Sequence, residues 1–157
     1  MILTEERSML KKLIALLLAA LLCATACAEE NTVEEQIMYI TINDTTLTMT
    51  VTDNASVREL LAMLADDPIT VTTHGYGGWE QVGSLGFSLS AEDTYLTAQP
   101  GDVMLYCGNQ IVLFYGNNSW DYTLLGHIQG RTADELKELL GSGEDTVVLS
   151  LEAPEHE

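Results

Sequence analysis

The chain has 157 residues, with 24 Asp and Glu against 6 Lys and Arg, and a formal net charge of −18 at neutral pH. Acidity on this scale argues against nucleic acid, whose phosphates need clustered Lys and Arg, and against adhesion to anionic lipid. The carboxylates are scattered rather than blocked, so they read as a solvated surface.

Residues 1–28 read as a secretory signal peptide. Lys11 and Lys12 precede an apolar run, Leu13–Leu22, which ends in the small residues Ala24-Thr25-Ala26-Cys27-Ala28. That run is shorter than the ~20 apolar residues of a membrane-spanning helix, so no transmembrane span is expected. Glu5 and Glu6 put acid where a leader should be basic, and translation from Met9 would give a cleaner one. Ala26-Cys27-Ala28 before Glu29 fits ordinary signal peptidase, the favoured reading. The alternative takes Ala24-Thr25-Ala26-Cys27 as a lipoprotein box with a lipid anchor at Cys27, although Ala24 stands where Leu is usual. Either way the chain is expected to be exported, extracellular or associated with the cell envelope. Beyond residue 28 the only cations are Arg58, Arg131 and Lys137, and the only cysteine is Cys107. An intramolecular disulfide is therefore ruled out there, and Cys107, in an apolar run, reads as a small buried hydrophobe.

An acidic tether, 29–36, leads into one domain over 37–152, and 153–157 form a tail. Ile37–Ile42 and Thr45–Thr52 predict a hairpin across Asn43-Asp44. In its second strand Leu47, Met49 and Val51 alternate with threonines, the period of a half-buried strand. Ser56 and Glu59 predict a capping box, followed by the helical stripe Val57, Leu60, Leu61 and Leu64, with Pro68 as the stop. Ile69–Thr73 predicts a strand that runs into His74-Gly75-Tyr76-Gly77-Gly78-Trp79-Glu80, where three glycines imply a bend or a close backbone approach. Asp102–Cys107 and Gln110–Tyr115 predict a strand pair about Gly108-Asn109, and Trp120–Ile128 predicts short extended pieces. Thr132 and Glu135 predict a second capping box, with Leu136, Leu139 and Leu140 inward and Gly141 as the stop. Thr146–Leu151 predicts the last strand, alternating at Val147, Leu149 and Leu151. The fold expected is mainly β: a closed β-barrel of about eight strands with two capping helices.

Pro100-Gly101-Asp102-Val103, the turn at Gly108 and the apolar strand ending Phe114-Tyr115-Gly116 together resemble the central hairpin of the bacterial cyclophilin-like family. Leu125-Gly126-His127-Ile128-Gln129-Gly130 is similar to that family's Gly-rich turn before its last helix, one residue shorter here. Gly75–Leu85 looks like the Gly-Gly-aromatic-Glu segment of its small secreted branch. The resemblance spans roughly Met38–Leu151 and implies a groove-bearing barrel. It also implies prolyl isomerase activity, in which a groove Arg within Phe-His-Arg weakens an amide resonance whose rotational barrier is ~18–20 kcal/mol. That motif is absent: the corresponding strand reads Thr72-Thr73-His74-Gly75-Tyr76-Gly77-Gly78. Gln110 matches the family's Gly-x-Gln, but Ile111 and Val112 occupy the paired Phe positions.

Other chemistry finds no support. His74, His127 and His156 are widely spaced with no short ligand pair, so no metal or other cofactor is expected. A Gly-x-Ser-x-Gly elbow is missing. The aromatics are more informative. Tyr76, Trp79, Phe114, Tyr115, Trp120 and Tyr122 fall in two segments that could line one groove rimmed by Glu80, Gln110 and Asp121. Phe114 reads as core. The candidate ligand-binding set is Tyr76, Trp79, Glu80, Gln110, Tyr115 and Trp120, with no catalytic residue assigned. The function expected is a non-catalytic binding module for a peptide or small molecule; the alternative is a prolyl isomerase of exported proteins. N-terminal sequencing of the mature protein should begin at Glu29, or be blocked by lipid at Cys27. A mature protein retaining Lys11 would contradict export.

Overall fold

The computed structural model describes residues 36–141 and 143–154. The leader, Cys27, the tether to residue 35 and His156 lie outside them. The element order is β1 (Ile37–Ile42), β2 (Thr45–Val51), α1 (Ala55–Leu64), β3 (Ile69–Tyr76), β4 (Glu80–Ser84), β5 (Thr94–Ala98), β6 (Asp102–Tyr106), β7 (Gln110–Phe114), β8 (Asn118–Ile128), α2 (Ala133–Leu140) and β9 (Glu144–Ser150).

Every strand pairing is antiparallel, and the order β2-β1-β9-β3-β4-β7-β6-β8 closes on itself through β2–β8. The last strand of the sheet, β5, is bonded to β8 alone and lies outside this ring. The length of β8 makes both roles possible. Its first part, Asn118–Tyr122, pairs with β5, while Gly126–Ile128 pair with β2. Glycine is required at the closing seam, because a Cβ on Gly126 would run into the Thr50 carbonyl oxygen and the Met49 side chain.

The ring encloses the main core. Met38, Ile40 and Ile42 of β1, Leu47 and Met49 of β2, and Val147 and Leu149 of β9 all point inward. Val57, Leu60 and Leu64 of α1 and Leu136 and Leu140 of α2 fill the same core. On β6 and β7 both faces are buried. Val103, Leu105, Ile111 and Leu113 point into the ring, whereas Met104, Val112 and Phe114 join Ala98 and Tyr122 in a second, smaller core outside it. Burial on both faces explains why these two strands read as continuous apolar runs rather than alternating ones.

Several local expectations are corrected. Helix α1 is capped by Asn54, whose side chain accepts from the Val57 N–H at 2.9 Å, not by a Ser56–Glu59 box. Ser56 and Glu59 instead hold the loop before β5. Ser56 Oγ donates to the Ser90 carbonyl, and Glu59 accepts from Ser90 N–H at 2.7 Å and Ser90 Oγ at 2.5 Å. The α2 box is present as read, with Thr132 and Glu135 bonded reciprocally. Cys107 is exposed, not buried. The β6–β7 turn takes two consecutive left-handed residues, Cys107 at φ 50° and Gly108 at φ 72°, which pulls Cys107 out of the strand. Trp120–Ile128 belongs to one continuous strand, β9 stops at Ser150 and leaves Leu151 exposed, and β4 and β5 are additional strands.

The alternation of β2 gives a direct test. Met49 is buried in the ring and Thr48 is exposed. Met49→Asp should cost several kcal/mol, because it buries a charge without a partner. Thr48→Asp should cost well under 1 kcal/mol. Urea denaturation of both variants measures the difference.

Candidate functional site

The second core does not close completely. Its open side is a groove of about 490 Å³ on the outer face of the ring, lined by residues of β3, β4, β6, β7 and β8. The β3–β4 hairpin forms one wall. Tyr76-Gly77-Gly78-Trp79 makes the turn, in which Trp79 N–H donates to the Tyr76 carbonyl at 3.3 Å. Gly77 has φ 63°, and a Cβ there would collide with the indole of Trp79. The opposite edge of the same side chain lies against Gly116, where a Cβ would come within 2.6 Å of Trp79 Cβ. The Trp79 carbonyl then accepts from both Tyr115 and Gly116 N–H at 2.9 Å. Glycine at 77 and 116 therefore makes the seat into which Trp79 fits.

Strand β8 forms the other wall. Asn118, Trp120 and Tyr122 alternate along it and share its groove-facing side. Tyr122 is buried, packs edge-on against Phe114 and Tyr106 with centroids 5.5 Å and 5.9 Å away, and accepts from Asn118 Nδ2 at 3.0 Å. Trp120 is half exposed. The floor is Val82 and Val112, and Gln110 stands at one end, opposite Tyr106 in the β6–β7 register.

Among the described residues, Glu80 is the one carboxyl of the lining. Only 5% of its surface is exposed, and Oε2 is buried without a hydrogen-bond partner. Trp79 Nε1 beside it is likewise buried and unpartnered. Burial raises the Glu80 pKa from 4.5 to about 7, against the opposing pull of the nearby Trp79 and Asn118 side chains. Burial also pushes up the Tyr122 and Tyr115 phenols, with the Glu80 charge adding to both.

Five of the six sequence-chosen residues, Tyr76, Trp79, Glu80, Gln110 and Trp120, line this one groove. Tyr115 does not: it is buried in the main core. It follows Phe114, which faces the second core, so alternation turns it to the other side. Asp121, between Trp120 and Tyr122, is exposed and also outside the lining. Val82, Tyr106, Val112, Asn118 and Tyr122 complete the site. The spacing Asn118-x-Trp120-x-Tyr122 was the available signal for part of it. His74 and His127 are apart from the groove and pair with Glu144 and Asp102, at 3.5 Å and 2.8 Å.

The sequence profile of the Cyclophilin-like family matches residues 40–152. The chain belongs to that family. No curated protein matches this cyclophilin-like chain in sequence. Among solved structures it is similar to that of a hypothetical protein from Archaeoglobus fulgidus. The TM-score is 0.52 at 15% identity, covering 80% of this chain and 100% of that one. At that identity the likeness concerns the fold alone. The cations described in this cyclophilin-like domain lie elsewhere. Arg58 pairs with Asp53 beside α1, and Arg131 lies 3.7 Å from Glu135 at the start of α2. Neither these nor Lys137 line the groove.

The Glu80 shift makes stability pH-dependent. Between pH 4.5 and about 7 the folded state keeps a proton that the unfolded state has lost, so stability falls as pH rises through that window. The expected loss is on the order of 2 kcal/mol, less than the full shift implies because the groove is open to solvent. Glu80→Gln should remove this slope, so that urea denaturation of the variant at pH 5 and pH 8 differs less than that of the wild type.

Proposed function

We propose that this is an exported, non-catalytic cyclophilin-like domain that binds a peptide or small molecule in the outer groove, outside the cytoplasm. The observation that carries the reading is the lining itself: a partly open apolar cavity with a few convergent polar groups, Glu80, Gln110 and Asn118, set among five aromatic rings. Such a composition is typical of ligand pockets. The chemistry of prolyl isomerisation supports the non-catalytic half. That reaction is helped by a donor at the prolyl nitrogen, and among the described residues the groove offers a carboxyl with no guanidinium. Leu13–Ala28 supports export.

Proline-limited refolding takes tens to hundreds of seconds without a catalyst. The purified domain should leave that rate unchanged; strong acceleration would overturn the reading in favour of an isomerase of exported proteins. Binding can be read separately. The two tryptophans of the chain, Trp79 and Trp120, both line the groove, so occupancy should shift their emission. Trp120 is 55% exposed, and Trp120→Ala should weaken binding by about 1–2 kcal/mol while leaving the melting temperature nearly unchanged. Trp79→Ala, which empties the seat between Gly77 and Gly116, should lower both.

A further inference from the structure

We propose that the groove selects an organic cation, with an alkylammonium head held between the aromatic faces and against the Glu80 carboxylate. The inference rests on the groove being a binding site and names the chemistry of its occupant. Three observations carry it. Tyr76, Trp79, Tyr106, Trp120 and Tyr122 surround one cavity. Aromatic faces carry negative quadrupole potential, and a cage of them is a recurrent solution for cations that cannot donate strong hydrogen bonds. Glu80 lies in that cage, nine-tenths or more buried, with Oε2 lacking any partner. A buried, unpartnered carboxyl is costly, and a cation seated against it removes the cost.

The surroundings agree in sign. Among the described residues no Lys, Arg or His lines the cavity, so none of them competes for Glu80 or repels a positive ligand. The net charge of −18 raises the local concentration of cations over anions. A carboxyl raised to about 7 is part-protonated at neutral pH, and a bound cation would return it to its charged form. Gln110 remains as an amide partner for the uncharged remainder of the ligand, whereas Asn118 already donates to Tyr122 and accepts from Ser119 N–H. The free compound and an alkylammonium side chain on a peptide present the same head to this cage.

The test uses the exported domain from Glu29 onward as well as the full chain, with tryptophan emission as readout. The probes are choline, a short peptide carrying trimethyllysine, and the uncharged isostere of choline in which carbon replaces nitrogen. Choline or the peptide should shift the emission saturably, and whichever binds more tightly identifies the source of the head. The isostere should bind about tenfold more weakly or not at all. Glu80→Gln should weaken the cations by about tenfold and leave the isostere unchanged. Tyr76 is 65% exposed, so Tyr76→Ala should keep the fold and still weaken the cations, which covers the case in which Glu80→Gln fails to fold. An isostere as strong as choline would overturn the cation inference and leave the binding groove standing. So would silence toward cations when an uncharged proline peptide shifts the emission. Silence toward cations, isostere and proline peptide together would overturn both readings.

Discussion

Three residue pairs, Met49–Ile128, Thr50–His127 and Val51–Gly126, join the first hairpin to the last long strand, and the rest of the structure depends on that seam. Without it the eight ring strands would be an open antiparallel sheet with two free edges and an inner face that two short helices could not cover. With it, each inward side chain of β1, β2 and β9 meets others across the interior, and the helices need only supply Val57, Leu60, Leu64, Leu136 and Leu140. The seam has a steric condition. Backbones at Thr50 and Gly126 approach so closely that position 126 has room for hydrogen alone. The first hairpin is fixed to the opposite neighbour by similar means. Asn43, left-handed at φ 52°, donates from Nδ2 to Asp145 at 2.9 Å and accepts from Thr146 N–H at 3.1 Å. One turn residue therefore shapes the hairpin and ties it to β9.

Closure also creates the site. A strand in a closed ring has an outer face, and on most strands here that face is polar. On β6 and β7 it is not, because Met104, Val112 and Phe114 need cover. The cover is partial: β5 extends the first half of β8, and Tyr122 and Ala98 close over one side. The other side stays open and becomes the groove. Its wall is positioned by the same device used at the seam, close approach at glycine, this time Gly77 and Gly116 about Trp79. The second core and the groove are thus one feature, an outer apolar face that the fold covers on one side only.

Much of this was legible along the chain, and the failures have identifiable causes. Strand alternation located Met49, Val147 and Leu149 in the core, and the Thr132–Glu135 box is local enough to read directly. The first helix cap departs from expectation because Ser56 and Glu59, spaced as a capping box, are engaged by Ser90 from a distant loop, which leaves the cap to Asn54. Tyr115 and Cys107 depart from expectation because doubly buried strands lose their period: in Ile111-Val112-Leu113-Phe114-Tyr115 the face is not marked, and in Val103-Met104-Leu105-Tyr106-Cys107 the exit of the strand is not. Strand β4 is interrupted by Gly83, and the short, mostly exposed β5 carries no buried alternation, so both acquire their conformation from the neighbours they bond.

Glu80 is where local rules and the fold disagree, and the disagreement has a direction. A side chain opposite Phe114 in the β4–β7 register, on a face whose neighbours are Val82 and Val112, would be more stable if it were apolar. A salt bridge could have neutralised it, yet the cations described in this domain sit at α1 and α2. The adjacent indole and the Asn118 side chain offset part of the burial of Glu80, yet Trp79 Nε1 and Glu80 Oε2 each lack a hydrogen bond of ordinary geometry. Two unmet groups side by side, a donor and an acceptor, are a cost that the fold carries at the one place where its outer apolar face is open. The polarity of the groove follows from that pair. A cyclophilin-like groove that presents a guanidinium offers donors to a neutral amide. This one presents a buried carboxyl among aromatic side chains, so the polar group that sets its character differs in kind from that donor.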